Sequence, residues 1–359
     1  MILENSRPNL SVFFDTILCF PTFGQNYQSY ILSTIIHKKI MEKILVIGCA
    51  GQIGSELTLE LRRIYGASNV VATDIKPAER EITEGGPFEI LDVLETHRLF
   101  GTVSRNKITQ IYHLAAILSG NAEKKPLASW QINMESLMNV LELSRELSLH
   151  KVFWPSSIAV FGPTTPRQKT PQFTIMEPNT VYGISKLAGE RWLEYYFKKY
   201  GVDGRSLRYP GLISYKTEAG GGTTDYAVEI YYEALRNGSY ECFLSENTYL
   251  PMMFMEDAIK ATIDIMETDA ANVKVRSSYN VAGISFSPKE IAESIKSQVP
   301  GFEISYKPDF RQAIADSWPQ SIDDSVAVAD WGLTCTYDLP RMTEVMLQGV
   351  KEKFSAGRE

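Results

Sequence analysis

The chain has 359 residues, 44% hydrophobic and 22% charged, with a formal net charge of −7; that fits one large α/β unit or two joined domains of ordinary composition. The acidic balance argues against nucleic acid as a partner, which would want a basic stripe for its phosphates, and no apolar run reaches membrane-spanning length. The four cysteines (Cys19, Cys49, Cys242, Cys335) lack C-x-x-C spacing and the four histidines (His37, His97, His113, His150) join no metal pattern, so neither a disulfide framework nor a metal site is expected.

Residues 1–40 stand apart. They hold an apolar stretch at 11–20 that Asp15 interrupts, and no basic region precedes it, which fits a secretory signal poorly. Arg7 is the one arginine there, against Glu4 and Asp15, which fits a transit peptide poorly. Met41 directly precedes the first strand, as a native start would. The segment is expected to be an N-terminal extension outside the fold, dispensable for folding and activity. Two alternatives stand. As a targeting segment it would send a protein otherwise expected in the cytoplasm, as a bacterial-like chain, to mitochondria. As a structural arm it would be needed for folding.

From Met41 on, β-type apolar runs alternate with helical patterns. Residues 43–47 form a short buried strand leading into glycines. Residues 52–64 are helical, with Ile53, Leu57, Leu61 and Ile64 on one face. Strands follow at 69–73 and 88–91, each ending beside an aspartate (Asp74, Asp92). Further strands at 110–114 and 151–154 flank a long helix at about 127–147. A helix opens at Tyr182, and a strand follows at 203–207. This alternation predicts an α/β fold with a doubly wound parallel sheet of Rossmann type. After Pro210-Gly211 the rhythm changes. A loop, Gly220-Gly221-Gly222, leads into a helix at about 224–236, and short elements follow. The expected division is therefore a dinucleotide-binding domain at 41–212 and a smaller, mainly substrate-binding domain at 213–359, with 278–283 returning to the sheet.

The first turn carries the cofactor expectation. Gly48-x-x-Gly51-x-x-Gly54 lies between a strand and a helix, where its mechanics make sense. Gly48 allows the tight turn, Gly51 lets backbone approach a pyrophosphate, and Gly54 lets helix and strand pack. Gln52 and Ile53 sit at the helix N-terminus, whose free amides favour phosphate. Asp74 is placed to accept both ribose hydroxyls and to repel a 2′-phosphate; Ile75-Lys76-Pro77 brings no arginine after it, so NAD is expected rather than NADP. Asp92 has two readings, a contact to the adenine amino group or a cap for the next helix. Leu114, Ala115 and Ala116 offer small side chains beside the cofactor.

The chemistry points to Tyr182-x-x-x-Lys186. One turn separates the two, so they share a helix face. A second such pair, Tyr195 and Lys199, lies deep in the same helix and reads as amphipathic packing. A tyrosine is a poor base at its free pKa of about 10. Lowering it to about 7 needs roughly 4 kcal/mol of stabilisation for the phenolate, which a nearby ammonium and the nicotinamide's positive charge can give; Lys186 is the expected source of the first. Ser157, or its neighbour Ser156, ends the 151–154 strand and can hydrogen-bond a substrate oxygen beside Tyr182.

These motifs, with His113-Leu114-Ala115-Ala116, the 155–162 segment and Arg208-Tyr209-Pro210-Gly211, resemble the extended short-chain dehydrogenase/reductase family. Within it, residues 154–163, 220–226 and 309–319 are similar to the short-chain type of NAD-dependent L-threonine 3-dehydrogenases, and the likeness spans 41–354. The resemblance implies oxidation of L-threonine at its β-carbon to 2-amino-3-oxobutanoate with NADH formed. It implies Tyr182 as base, Ser157 as its hydrogen-bonding partner and Lys186 as activator and holder of the nicotinamide ribose. It also implies Ser119, Thr223 and the Gly222 backbone as substrate contacts, Trp318 as a cover, and a homodimer pairing through the 127–147 and 182–200 helices. Plainer readings are a turn at Ser119-Gly120, a hinge at 220–222 and a core role for Trp318. The rival reading is a nucleotide-sugar epimerase or dehydratase that retains NAD. It would need a basic diphosphate site, for which Arg208, Arg236 and Arg311 are available.

Overall fold

The apolar run before the glycine turn becomes β1 (Ile44–Ile47), buried at every position. Successive strand residues face opposite sides of a sheet. Ile44 and Val46 accordingly join one apolar cluster, and Leu45 and Ile47 another. A strand covered on both faces needs apolar side chains throughout, which is the signature of a parallel sheet. The computed structural model describes residues 42–217, 220 and 222–357. The 1–40 extension, Met41 and Gly221 lie outside the described residues.

The strands that follow are β2 (Val70–Asp74), β3 (Phe88–Ile90), β4 (Gln110–His113), β5 (Lys151–Phe153), β6 (Ser156–Ser157), β7 (Gly204–Arg205), β8 (Leu207–Tyr209) and β9 (Gly211–Ile213). Six of them form one sheet in the order β3-β2-β1-β4-β5-β7, all parallel. The crossovers include α1 (Gln52–Tyr65), α2 (Thr96–Arg105), α3 (Pro126–Glu146) and α4 (Val181–Tyr200). The fold is the doubly wound α/β sheet that the alternation predicted.

One predicted strand divides. Residues 203–207 were expected to run as a unit, but the pairing changes at Ser206. β7 pairs with β5, whereas β8 pairs with β6. The break is held by a third segment: the Ser206 hydroxyl donates to Ser278 Oγ at 2.9 Å, and the Tyr279 amide donates to the Ser206 carbonyl at 3.0 Å. The later strands are β10 (Ser239–Cys242), β11 (Leu250–Phe254), β12 (Tyr279–Asn280), β13 (Ile284–Phe286) and β14 (Glu303–Tyr306). β12 lies parallel to β8. β9, β11 and β13 make a three-stranded sheet, and β10 pairs with β14. The helices of this part, α5 (Tyr226–Arg236), α6 (Met255–Glu267), α7 (Pro288–Lys296) and α8 (Leu339–Ser355), bury their apolar faces around them. Among the described residues no helix is long and apolar enough to cross a membrane.

α4 carries the residues of most interest. Thr180 caps its N-terminus, accepting the Gly183 amide at 3.1 Å, and Gly201 ends it in the left-handed region at φ 73°. It packs on α3 around Leu137, Leu141, Trp154, Leu193 and Tyr196. Gly189 admits the Trp154 ring, because a Cβ there would stand 2.3 Å from the ring's Cη2. Tyr195 falls on the outer face, 46% exposed and edge-on to Trp192.

Candidate active site

The glycine turn is built by contact, not only by flexibility. Gly48 has φ +90°, and a Cβ there would meet the Ala115 amide nitrogen at 2.7 Å. A Cβ at Gly54 would stand 2.0 Å from the Gly48 carbonyl oxygen, so α1 can leave the strand this closely only with glycine. Gly51 caps α1 without a side-chain bond, which leaves the first-turn amides of Gln52 and Ile53 without intrahelical acceptors. Of these six residues all but Ala115 line one cavity, with Leu114 and Ala116 on its wall. Anion-binding backbone at the end of a parallel strand suits the pyrophosphate of a dinucleotide, and the residues fit that group.

Asp74 ends β2 nearly buried, at 9% exposure. One carboxylate oxygen accepts the Ala50 amide at 2.9 Å and the other the Lys76 amide at 3.3 Å. The first bond ties this carboxylate to the glycine turn itself. Asp92 has a local partner: its carboxylate accepts the Leu94 amide at 2.9 Å and its carbonyl the Glu95 amide at 3.0 Å, immediately before α2. Neither aspartate is on the cavity wall.

Tyr182, Lys186, Ser156 and Ser157 line the same cavity as the glycine turn. The two serines have different partners. Ser156 donates to the buried Glu190 carboxylate at 2.6 Å, while the Ser157 hydroxyl hydrogen-bonds Tyr182 and accepts the Ala159 amide at 3.2 Å. Lys186 is 2% exposed; its ammonium donates to the Pro155 carbonyl at 2.6 Å and stands 4.2 Å from the Trp154 ring centroid and 5.5 Å from that of Tyr182. Burial pushes the Tyr182 phenol up to about 12, which the Ser157 bond partly offsets. Burial also pulls Lys186 down to about 7, against the raising effect of Glu190. In these surroundings desolvation dominates the phenol and the Ser157 hydroxyl is what lowers it.

The same cavity is also lined by Ser119, Gly222, Thr223 and Trp318, 5% exposed at Ser119, 1% at Thr223 and 4% at Trp318. The Thr223 hydroxyl is buried with no protein partner, an arrangement that points to a ligand group. The Gly222 amide, expected to meet substrate, instead donates to the Asp225 carboxylate at 2.7 Å. Asp225 itself lines the cavity and was missed, since an acid at a helix start reads as a cap. Glu190 was missed too; its spacing of four from Lys186 was the available signal. The arginines considered for a diphosphate are engaged elsewhere: Arg208 with Glu190, Arg236 with Glu233 and Arg311 with Asp309. Among the described residues of the wall, Lys186 is the one cation.

A glycine cradle and a tyrosine beside a buried lysine, lining one cavity at the carboxyl ends of parallel strands, mark a nicotinamide-dependent oxidoreductase. Residues 44–282 match the model of the NAD dependent epimerase/dehydratase family. The chain belongs to that family, among the extended short-chain dehydrogenases and reductases, and its cofactor is NAD. A Staphylococcus haemolyticus protein named an uncharacterized epimerase/dehydratase is 50% identical over 315 residues, covering 87% of this chain and 99% of that protein. Among solved structures, the holo form of a GalE-like L-threonine dehydrogenase from Cupriavidus necator is 55% identical, covers 86% of this chain and 99% of that one, and superposes with a TM-score of 0.84. A monomeric L-threonine 3-dehydrogenase from a metagenome is 45% identical, covers 88% and 100%, and has a TM-score of 0.83.

Asp74→Ala removes the carboxylate that ends β2 and its bond to the Ala50 amide. It is expected to weaken NAD binding and to narrow the preference against NADP, measured as the ratio of the two dissociation constants. An unchanged ratio would assign cofactor choice to another residue.

Proposed function

We propose that this protein oxidises L-threonine at its β-carbon to 2-amino-3-oxobutanoate, reducing NAD to NADH. The observation that carries the reading is the polar lining of the cavity that Tyr182 shares. It offers a buried hydroxyl without a partner at Thr223 and a carboxylate at Asp225. Among its described residues it offers no arginine, which a diphosphate would require. A carboxylate beside hydroxyls suits a small zwitterion, whose ammonium it can pair and whose carboxylate the hydroxyls can meet. The threonine dehydrogenase names of similar structures support the same substrate.

In this reading Tyr182 takes the proton from the substrate hydroxyl, and Ser157, already bonded to Tyr182, holds the substrate oxygen. Lys186 keeps the phenolate in charge balance and holds the nicotinamide ribose. NAD supplies the hydride acceptor. Ser119 and Thr223 receive the substrate's polar groups, and Trp318 covers them. Asp74 receives the adenosine ribose, and residues 213–359 serve mainly the substrate side. We place the protein in the cytoplasm, in keeping with its bacterial relatives. We also propose a homodimer through the outer faces of α3 and α4, where Leu127 (84% exposed), Trp130, Ile184 and Trp192 lie open. A dimer is expected by sedimentation; a monomer at micromolar concentration, as the metagenomic relative's name describes for that protein, overturns this part.

Tyr182→Phe is expected to lower kcat by about 10²–10⁴-fold, the usual worth of positioned proton transfer, with NAD affinity little changed. Tyr195→Phe, on the outer face, should be nearly silent. Equal loss in both would remove Tyr182 from the role of base.

Thr223→Ala should raise the KM for threonine and leave NAD binding intact. Serine, lacking one methyl, should lose roughly 1–3 kcal/mol in kcat/KM, and 2-butanol, lacking both charged groups, should hardly react. Efficient oxidation of simple secondary alcohols, or interconversion of nucleotide sugars without net NADH, would overturn the threonine reading.

A further inference from the structure

Tyr182, Lys186 and Glu190 recur every four residues along α4, so their side chains share one face of the helix. Glu190 is off the cavity wall and 0% exposed. Two segments supply its donors. Its Oε1 accepts the Ser156 hydroxyl at 2.6 Å and Arg208 Nε at 2.9 Å, and its Oε2 accepts Arg208 Nη2 at 2.8 Å. Arg208 Nη1 continues to the Gln172 carbonyl and to Asn280 Oδ1, each at 3.0 Å. A buried pair of this kind gains little over an apolar one of the same volume, so stability alone does not account for placing charge here.

The surroundings of Lys186 show what the charge does. Tyr182 and Glu190 face it from its own helix, His113 from the end of β4, and Arg208 stands behind Glu190. His113 is uncharged near neutrality, pushed down to about 3 by burial and by Lys186 itself; its Nε2 lies 3.0 Å from Ser136 Oγ. Arg208 is bound in both directions by the Glu190 fork. Beside the Pro155 carbonyl that accepts from the ammonium, Glu190 is thus the one charged group among the described residues that opposes the loss of the Lys186 proton to burial.

We propose that Glu190 is a positioning residue for the tyrosine–lysine pair: through Ser156 it fixes the strand end that carries Ser157, and through its charge it keeps the proton on Lys186 when Tyr182 releases its own. The proposal rests on the reading of Tyr182 as base. Once one proton has left the pair, two arrangements compete, phenolate with ammonium and phenol with free amine. Only the first can accept the substrate's hydroxyl proton. Glu190 favours it because it lies one helical turn from Lys186 and two from Tyr182, about 6 Å and about 12 Å along the axis. Its attraction for the ammonium therefore exceeds its repulsion of the phenolate.

Glu190→Gln keeps the side-chain shape and removes the charge. It also leaves the Arg208 guanidinium buried without a counter-ion, so Glu190→Gln/Arg208→Met is measured beside it. One readout is the titration of Lys186 by NMR in protein labelled at the lysine ε-carbon, with the signal assigned by its disappearance in Lys186→Arg. The other is kcat and KM across pH. Lys186 is expected to titrate lower in both variants by about one pH unit or more. In both, kcat should fall by about tenfold or more without recovery at higher pH, while both KM values hold. Glu190→Asp should restore most of the Lys186 titration. An unchanged Lys186 titration in the folded double variant, or full kcat in Glu190→Gln, overturns the proposal. The titration needs no substrate. A wild-type enzyme that ignores threonine therefore overturns the function proposed above, while the role of Glu190 is still decided by the Lys186 signal.

Discussion

The ion pair between Glu190 and Arg208 is the joint on which the site depends. It links α4 to β8, and through Ser156 and Asn280 it reaches β6 and β12. Asn280 extends it further, donating from Nδ2 to the Thr170 and Asp323 carbonyls at 3.1 Å and from its amide to Gln172 Oε1 at 2.7 Å. Segments far apart in sequence thus meet at one carboxylate and one guanidinium. Charges this deep gain roughly nothing over an apolar pair, yet removing one partner costs about 3–5 kcal/mol. Such a pair fixes positions rather than adding stability. What it fixes is the height of the Ser156–Ser157 strand end relative to the Tyr182–Lys186 face of α4.

Burial that shields the site from water also works against its chemistry. Both Tyr182 and Lys186 are driven toward their neutral forms, the phenol up to about 12 and the ammonium down to about 7. Basicity is therefore not a property of the tyrosine alone. It depends on which charges and hydrogen bonds stand beside the pair, among them the Ser157 hydroxyl next to the phenol, the Pro155 carbonyl that accepts from the ammonium and the Glu190 carboxylate one turn beyond the lysine.

Specificity depends as much on charges already engaged as on charges presented. Arg208, Arg236 and Arg311 each meet a carboxylate within the protein, so the cavity keeps Lys186 as its cation among the described residues of its wall. The Thr223 hydroxyl, by contrast, is buried and bound to nothing in the protein. An unpaired buried hydroxyl costs about 1–3 kcal/mol, and a ligand that supplies the missing partner recovers it.

Where function rests on local pattern, it was legible in the chain. The strand, the glycine turn and α1 follow from a short apolar run, three glycines and a helical period, because each governs only its own backbone. Tyr182 and Lys186 share a face by spacing alone, and a loop before Tyr182 set it apart from Tyr195 deep in the same helix. Partners distant in sequence decided the rest. Ser156 and Ser157 look alike until Glu190 takes one and Tyr182 the other. Arg208 looked free for phosphate until Glu190 closed on it, and the Gly222 amide looked open until Asp225 accepted it. The 203–207 run looked continuous until Ser278 and Tyr279 met Ser206. In each case a periodicity names the face a side chain can occupy, but only packing determines which buried donor or acceptor finds its partner there, since an unmet polar group in the interior is too costly to leave to chance.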